Sequence, residues 1–170
     1  MELSGMEIAL VNAMSREFTL KSYLDNVKQS YDYVLIDCMP SLGMITINAL
    51  AAAESVIVPV QAQYLPAKGM IQLMKTIGTV RKKINTGLKV DGVLLTLADM
   101  RTTLARMTVD TLRQQYGDFL KIYKTQIPVA VKAAEISAVG RSIFAYDNGS
   151  KVAQAYADFT LEVLADAEGI

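Results

Sequence analysis

Short runs of β-branched and aliphatic residues alternate with longer stretches of helical periodicity, and this alternation constrains the fold more than any other feature of the chain. Strands separated by whole helices cannot be joined by hairpins, so they predict βαβ crossovers. The expected fold is α/β, with a mostly parallel sheet and helices on both of its faces. The strands are predicted at Tyr33–Ile36, Val56–Val60, Val90–Leu97 and Leu120–Ile127.

Helical spacing of apolar residues predicts the segments between these strands. Near the N-terminus, Ser4 and Glu7 have the spacing of a capping box. The length of 170 residues suits one domain, so residues 1–170 are predicted to form a single α/β domain. Further helices are predicted at Ser15–Gln29, Met44–Ala53, Leu65–Ile84, Thr103–Tyr116, Ala130–Ala138 and Val152–Ala167, with a turn at Tyr146–Gly149.

Composition excludes several functional classes. Lys plus Arg and Asp plus Glu both number 17, which excludes a protein that coats nucleic acid by bulk charge. Histidine is absent, which removes His-dependent triads and most zinc enzymes, and one cysteine, Cys38, permits no intramolecular disulfide. No apolar stretch is long enough for a transmembrane helix, and no signal peptide is visible, so a soluble cytoplasmic protein without a membrane partner is expected.

An acidic residue follows the first predicted strand, and a tight turn follows it. Proteins with parallel sheets bind their ligands at the carboxyl ends of the strands. Asp37 comes directly after Ile36, the last residue of the first predicted strand, and so lies at such an end. The turn Pro40–Gly43 then leads into a helix N-terminus, which favours anions. On this short pattern alone, Asp37 either contributes to a ligand site or simply caps the turn.

The longer series of motifs closely resembles the ParA/Soj family of the MinD/ParA superfamily. These proteins are deviant Walker ATPases that segregate plasmids and chromosomes. The resemblance implies a P-loop NTPase-like fold and covers nearly the whole chain. It is carried by Asp37–Gly43, Thr46 and Asn48–Ala53, Val56–Gln61 with Tyr64 and Leu65, Gly92–Thr96 with Asp99, Arg101 and Thr102, Ile127–Pro128 with Val131 and Ala133–Glu135, and Ser142–Asp147.

The chain also departs from that family. It contains no GxxxxGK[ST] or KGGxGK loop and no strand-end Asp before Pro-Gln-Gly. It therefore resembles the C-terminal part of such an ATPase, truncated at the N-terminus. The Walker A loop supplies most of the phosphate cradle, so we expect no useful ATP hydrolysis and no bound nucleotide for this chain alone. The sheet edge left by a missing strand is expected to be hidden by rearrangement, self-association or a partner.

The resemblance assigns nucleotide-site roles to individual residues. Asp37 corresponds to the Walker B acid, which reaches the Mg²⁺ shell in relatives that bind ATP. Pro40, Ser41 and Gly43 lie in the switch-like turn that couples nucleotide state to dimerisation. Thr96, Pro128 and Val129 correspond to the surroundings of adenine in the family. For these three residues, ordinary strand ends and turns are an equally good interpretation.

The resemblance also implies DNA and protein partners. Relatives dimerise with ATP, bind DNA non-specifically, respond to a ParB-like partner and associate with the nucleoid. The partner here would be a second copy or a full-length ParA-like subunit. Lys68 is a candidate for the site or the dimer interface. Arg81–Lys83 could also reach DNA phosphates, but a solvated helix face is the preferred interpretation for them. The DNA-binding candidates are Lys121, Lys124 and Lys151.

Three hypotheses for function remain open at this point. The first is the C-terminal part of a ParA-type partition ATPase. The second is a naturally truncated, nucleotide-free interaction module that modulates a full-length partner, and the third is a product without a function of its own. A doubly wound oxidoreductase or flavodoxin-like domain is remote, because no GxGxxG follows any predicted strand.

Overall fold

A computed structural model of the protein describes residues 5, 10, 13–39, 41–62 and 67–168. The predicted capping box of Ser4 and Glu7, Pro40 of the switch-like turn, and Tyr64 and Leu65 lie outside the described residues. Two 3-10 turns, Arg16–Phe18 and Lys28–Ser30, flank the first described helix. In chain order the elements are α1 (Thr19–Val27), α2 (Met44–Ala52), β1 (Ser55–Gln61), α3 (Ala67–Lys83), β2 (Lys89–Ala98), α4 (Thr103–Tyr116), β3 (Ile122–Pro128), α5 (Val131–Val139), α6 (Ile143–Asp147) and α7 (Lys151–Glu168).

The chain divides into two compact units. Unit 1 comprises residues 1–56 and 67–89, and unit 2 comprises residues 57–66 and 90–170. Unit 1 contains the three helices α1 to α3, whereas unit 2 contains most of the sheet and the four helices α4 to α7. The assignment of residues 1–170 to a single domain stays a prediction.

The sheet has the strand order β1-β2-β3, and β2 pairs with β3 in parallel. Leu94 and its neighbours Val93 and Leu95 point to opposite faces of β2, as alternate strand residues must. All three side chains are buried, so the strand is covered on both faces. The predicted α/β fold with a parallel sheet surrounded by helices is confirmed.

One apolar cluster joins the sheet of unit 2 to its last three helices. Leu94 of β2 and Tyr123 and Ile127 of β3 pack with buried side chains of α6 and α7. The Tyr123 ring meets the Phe159 ring edge-on, with their centroids 5.0 Å apart. This geometry is favourable for aromatic pairs because the positive edge of one ring faces the negative face of the other. It fixes α7 against β3.

In unit 1, two asparagine side chains secure the ends of α2. The Asn48 amide nitrogen donates to the carbonyl oxygens of Arg16 (2.7 Å) and Met44 (3.0 Å), and its oxygen accepts from the Leu20 N–H (3.1 Å). The Asn85 amide nitrogen donates to three carbonyls in and after the last turn of α2, with its shortest bond, 2.7 Å, to Ala53. These bonds satisfy backbone groups that a helix end or a turn leaves unpaired.

The prediction of a buried strand at Tyr33–Ile36 is wrong. Residues 33–39 form no strand, and the Leu35 side chain is 93% exposed. The residue types are those of a strand, but a strand also needs a neighbour to receive its N–H and C=O groups. Within the described ranges no strand pairs with this segment.

The other predicted elements agree with the structure to within a few residues, and the bounds of α4 are as predicted. One helix was missed, because the predicted turn at Tyr146–Gly149 begins inside α6. The Ser142 hydroxyl accepts from the Ala145 N–H and so caps this five-residue helix. Serine is a favoured N-cap residue, and this was the local signal for the helix.

We expect the Asn48→Ala variant to lower the free energy of unfolding by about 2 kcal/mol, because it leaves the Leu20 N–H without its acceptor and removes two further hydrogen bonds to carbonyl oxygens. Urea unfolding measures the change. The control is Asn26→Ala, which removes one exposed hydrogen bond to the Ser22 carbonyl. Equal effects of the two substitutions would contradict a structural role for Asn48.

Candidate functional site

The Walker B candidate Asp37 lies in the mostly exposed segment of unit 1, residues 31–39, that forms neither helix nor strand. Its carboxylate has no hydrogen-bond or ion-pair partner in the part of the chain that the structure describes. In the next residue, partial burial raises the pKa of the Cys38 thiol, and the Asp37 charge adds to the effect. Because thiolates are the reactive form, this shift opposes a catalytic role for Cys38. Of the two neighbours, Asp37 rather than Cys38 is therefore the candidate ligand for a cation.

The turn that follows Asp37 is held by backbone and hydroxyl hydrogen bonds. The Ser41 N–H donates to the Met39 carbonyl at 2.7 Å, and the Thr46 hydroxyl donates to the Ser41 carbonyl at 2.6 Å. Gly43 is the extended N-cap residue of α2, and no side chain caps the first turn. The predicted switch residues Ser41 and Gly43 therefore form one ordered entry to a helix N-terminus. Thr46 anchors this entry, and Asn48 joins α2 to Arg16 and Leu20 at the start of α1. Sequence reasoning assigned neither residue a role.

The signal for Asn48 was present in the sequence. It is a polar residue in the otherwise almost wholly apolar helix α2, and its side chain is buried. A buried amide group must find hydrogen-bond partners, so such a residue points to irregular backbone nearby. Which backbone groups it would reach depends on the fold, and so could not be predicted.

In unit 2, the predicted adenine-pocket residues share one edge of the sheet. Thr96 is half-buried near the end of β2, and its carbonyl accepts from the Ala62 N–H at 2.9 Å. Ala98 of β2 is paired with Pro128 of β3, which places the two strand ends side by side. Pro128 is half-buried and Val129 is 49% exposed. Their assignment to adenine stays a prediction.

The backbone at this edge is strained. Leu97, between Thr96 and Ala98, has a φ of 48°, the left-handed region that non-glycine residues rarely occupy. After it, the Asp99 carboxylate accepts from the Arg101 backbone N–H and guanidinium, which lowers the pKa of Asp99. The Thr102 hydroxyl then caps α4 by accepting from the Ala105 N–H. The strand end is thus followed by a closed turn.

The three DNA-binding candidates differ in their availability. The Lys121 ammonium forms an ion pair with Asp166 and lies 4.6 Å from the Tyr123 ring centroid. Lys124 and Lys151 are exposed, and their ammonium groups have no ion-pair partner within the described residues. Of the candidates, these two can approach a phosphate without breaking an existing contact. The Lys68 side chain lies outside what the structure describes.

Glu162 of α7 accepts hydrogen bonds from the backbone around Lys124. Between the pairs Val93–Ile122 and Leu95–Gln126, β2 advances two residues while β3 advances four. Such a bulge removes ladder partners from the longer strand. The Glu162 carboxylate replaces them by accepting from the Lys124 and Thr125 N–H groups at 2.9 and 3.1 Å. Burial raises the pKa of Glu162, but these bonds lower it by more, so the pKa lies below its usual value.

Tyr123, on the same bulge, has a fully buried ring, and its hydroxyl has no hydrogen-bond partner within the described residues. Burial, with added repulsion from the charges of Asp91, Asp166 and Glu162, raises the pKa of Tyr123 to about 12. The phenol therefore stays protonated at physiological pH. Its packing against Phe159 marks it as a core residue.

No group of three or more His, Cys, Asp or Glu side chains within the described ranges is placed to hold a metal ion. A cation at Asp37 would therefore need further ligands from a nucleotide or from water. None of the helices described is long and apolar enough to cross a bilayer.

Comparisons with known proteins define the class and then the family. The chain matches a solved structure of cobyrinic acid a,c-diamide synthase from Mycobacterium smegmatis with bound ADP and magnesium. The match has a TM-score of 0.82 and 34% identity, and it covers 98% of this chain and 60% of that one. This chain therefore has a P-loop NTPase-like α/β fold. A family model described as AAA domain matches residues 1–90.

Two curated relatives narrow the class. The sporulation initiation inhibitor protein Soj of Bacillus subtilis is 46% identical over 165 residues, which are 97% of this chain and 64% of the relative. The chromosome partitioning protein ParA of Myxococcus xanthus is 41% identical over 156 residues, which are 91% of this chain and 54% of the relative. The chain belongs to the AAA-domain family and is similar to the Soj and ParA proteins. It spans less than two thirds of the length of these relatives.

We expect Glu162→Gln to lower the free energy of unfolding by about 1 kcal/mol at neutral pH, because it removes the charge from two hydrogen bonds at a partly exposed site. The folded-state pKa of Glu162 is lowered from 4.5, so its stabilisation is present above pH 4.5 and is lost as the pH falls through the folded value. The difference between the two proteins should shrink over that range.

Urea unfolding at a series of pH values measures this difference. The control is Asp158→Asn on the same helix, where the carboxylate accepts a hydrogen bond from the Gln154 side chain instead of from backbone N–H groups. A difference between Glu162→Gln and the parent that stays constant as the pH falls would refute the role given to the charge.

Proposed function

We propose that this chain is the C-terminal part of a ParA-type DNA-segregation ATPase, which in its full form dimerises with MgATP and binds DNA non-specifically. The observation that carries the proposal is the 46% identity to Soj over nearly the whole chain. It gains support from the ordered turn between Asp37 and α2, and from the shared edge of Thr96 and Pro128. The proposed location is the cytoplasm, on the nucleoid, with a ParB-like partner.

The residues present fit only part of a MgATP site. Asp37 offers one free carboxylate, and the uncapped first turn of α2 offers backbone N–H groups to an anion. The 170 residues contain no Walker A loop, so the principal phosphate cradle is not among them. We therefore propose that this chain alone does not hold the nucleotide, and we derive no hydrolytic step from it.

The proposed self-association finds support in an exposed apolar segment. Tyr33, Val34 and Leu35 combine strand-forming residue types with high exposure. An unpaired segment of this kind favours the addition of a neighbouring strand, because both apolar side chains and backbone groups are available. A second ParA-like subunit, or further sequence of a longer protein, would cover it.

We expect calorimetry to show no MgATP binding by this chain. A chimera that carries the Walker A segment of the Bacillus subtilis Soj relative before Met1 should bind MgATP, because it restores the phosphate cradle. In that chimera, Asp37→Asn should weaken Mg²⁺-dependent binding by roughly tenfold through loss of the anionic oxygen. Asp32→Asn, in the same exposed segment, is the control and should have no effect.

Binding by the short chain would mean that another part of it replaces the Walker A loop. Failure of the chimera to bind, in a folded state, would instead favour a nucleotide-free interaction module.

We expect the double variant Lys124→Gln, Lys151→Gln to bind a labelled duplex DNA more weakly than the parent chain. Because each lysine would neutralise one phosphate, the slope of log K against log salt should decrease by about 2. Fluorescence anisotropy over a salt series measures both quantities. The matched control is Lys21→Gln, Lys132→Gln, which removes the same charge from two lysines already paired with Asp25 at 2.9 Å and with Asp147 at 2.7 Å. Equal losses in both variants would show an effect of net charge alone.

A further inference from the structure

In unit 1, a cluster of basic side chains lies at the end of α3. The last turn of this helix carries three consecutive basic residues, Arg81, Lys82 and Lys83. All three are exposed, and their charged groups have no ion-pair or hydrogen-bond partner within the described residues. Arg81 and Lys82 line a shallow groove of about 300 Å³ together with Gly78 and Thr86.

The helix dipole does not account for this cluster. The C-terminus of a helix carries about half an elementary negative charge, and one basic side chain in the last turn balances it. Three positive charges exceed that requirement and leave the end of α3 positive. The whole chain has a formal net charge of zero, so attraction of an anion has to come from local clusters such as this one.

Gly78 contributes an open floor to the groove. Glycine weakens the interior of a helix, because it loses more backbone entropy on folding than other residues. A Cβ atom at Gly78 would meet nothing within 4 Å, so no packing contact requires glycine here. Arg81 and Lys82 are three and four residues further along the helix, and they therefore rise from the same face. The bare backbone of Gly78, beside these two side chains, leaves room for a group of phosphate size.

The chemistry of the groove suits a phosphate backbone better than other ligands. A guanidinium, an ammonium and a hydroxyl are donors for phosphate oxygens. The lining includes no aromatic side chain on which an unpaired base would stack. The exposed neighbours Lys75 and Thr79 are also polar, so this part of the helix offers no apolar face for insertion into a membrane.

We propose that the groove at the end of α3 is a contact site for the phosphodiester backbone of duplex DNA. Arg81 and Lys82 each neutralise a phosphate, and the Thr86 hydroxyl donates a hydrogen bond to a phosphate oxygen. This inference rests on the DNA-binding part of the proposed function, but it assigns a contact to unit 1, whereas Lys124 and Lys151 belong to unit 2. It replaces the interpretation of Arg81–Lys83 as a solvated helix face.

The test measures binding of a labelled duplex DNA by the whole chain in a salt series. For the double variant Arg81→Gln, Lys82→Gln we expect roughly tenfold weaker binding at low salt and a salt slope smaller by about 2. The matched control is Arg113→Gln, Lys89→Gln, which removes the same charge. Arg113 lies in the last turn of α4, and Lys89 is an exposed residue of unit 1 outside the groove.

A second pair of variants separates charge from space. Gly78→Glu and Gly78→Gln place side chains of similar size on the floor of the groove, and both residues are good helix formers. The carboxylate should repel a phosphate, so Gly78→Glu should weaken binding more than Gly78→Gln. On addition of the duplex, the amide NMR signals of Gly78 and Thr86 should shift in the parent chain.

The outcomes separate the two proposals. If the groove variants match the Arg113, Lys89 control, or if the Gly78 and Thr86 signals do not move, the groove proposal is overturned. If at the same time the Lys124, Lys151 variant still weakens binding, the proposed function stands without the groove. Absence of DNA binding by the parent chain at low salt would overturn the groove proposal but not the proposed function, which assigns DNA binding to the full form with MgATP.

Discussion

The arrangement of unit 2 depends on the hydrogen bonds that the Glu162 carboxylate accepts from the Lys124 and Thr125 N–H groups. The bulge in β3 would otherwise leave these donors without ladder partners, and unpaired backbone donors are costly. Because the acceptor is carried by α7, the same bonds fix the helix along the strand. The edge-on contact of Phe159 with Tyr123 and the burial of Val152 then follow from the position of α7.

Unit 1 meets the same constraint with neutral side chains. Asn48 serves backbone groups at the start of α1, and Asn85 serves carbonyl groups at the end of α2, where helical hydrogen bonds run out. In both units, a polar side chain from a distant part of the sequence supplies hydrogen-bond partners to backbone groups where a regular helix or strand is interrupted. In unit 1 this ties α2 to the start of α1, and in unit 2 it shapes the segment that carries Lys124. The candidate site residues therefore lie beside the contacts that stabilise the fold.

Apart from α6, the described helices and the three strands of the sheet were predictable because periodicity is a local property, as the bounds of α4 illustrate. The resemblance assigned Thr96, Pro128 and Val129 to the surroundings of adenine, and the pairing of Ala98 with Pro128 places their two strand ends side by side. The roles of Asn48 and Glu162 were not predictable, since their partners are chosen by the fold. The error at Tyr33–Ile36 has the same origin, because strand-forming residues do not specify the strand beside them.

Whether a basic side chain is available to bind a phosphate likewise depends on the fold. The number of basic residues equals the number of acidic ones, so the composition alone gives no reason for DNA binding. Ion pairs divide the cations into two sets, because Asp166 engages Lys121, Asp147 engages Lys132, and Asp25 engages both Lys21 and Lys28. A phosphate would first have to displace these carboxylates. A phosphate meets no such competition at the unpaired basic side chains. The entropic gain from the release of counterions from the DNA is therefore greatest there. The unpaired set includes Arg81, Lys82, Lys83, Lys124 and Lys151.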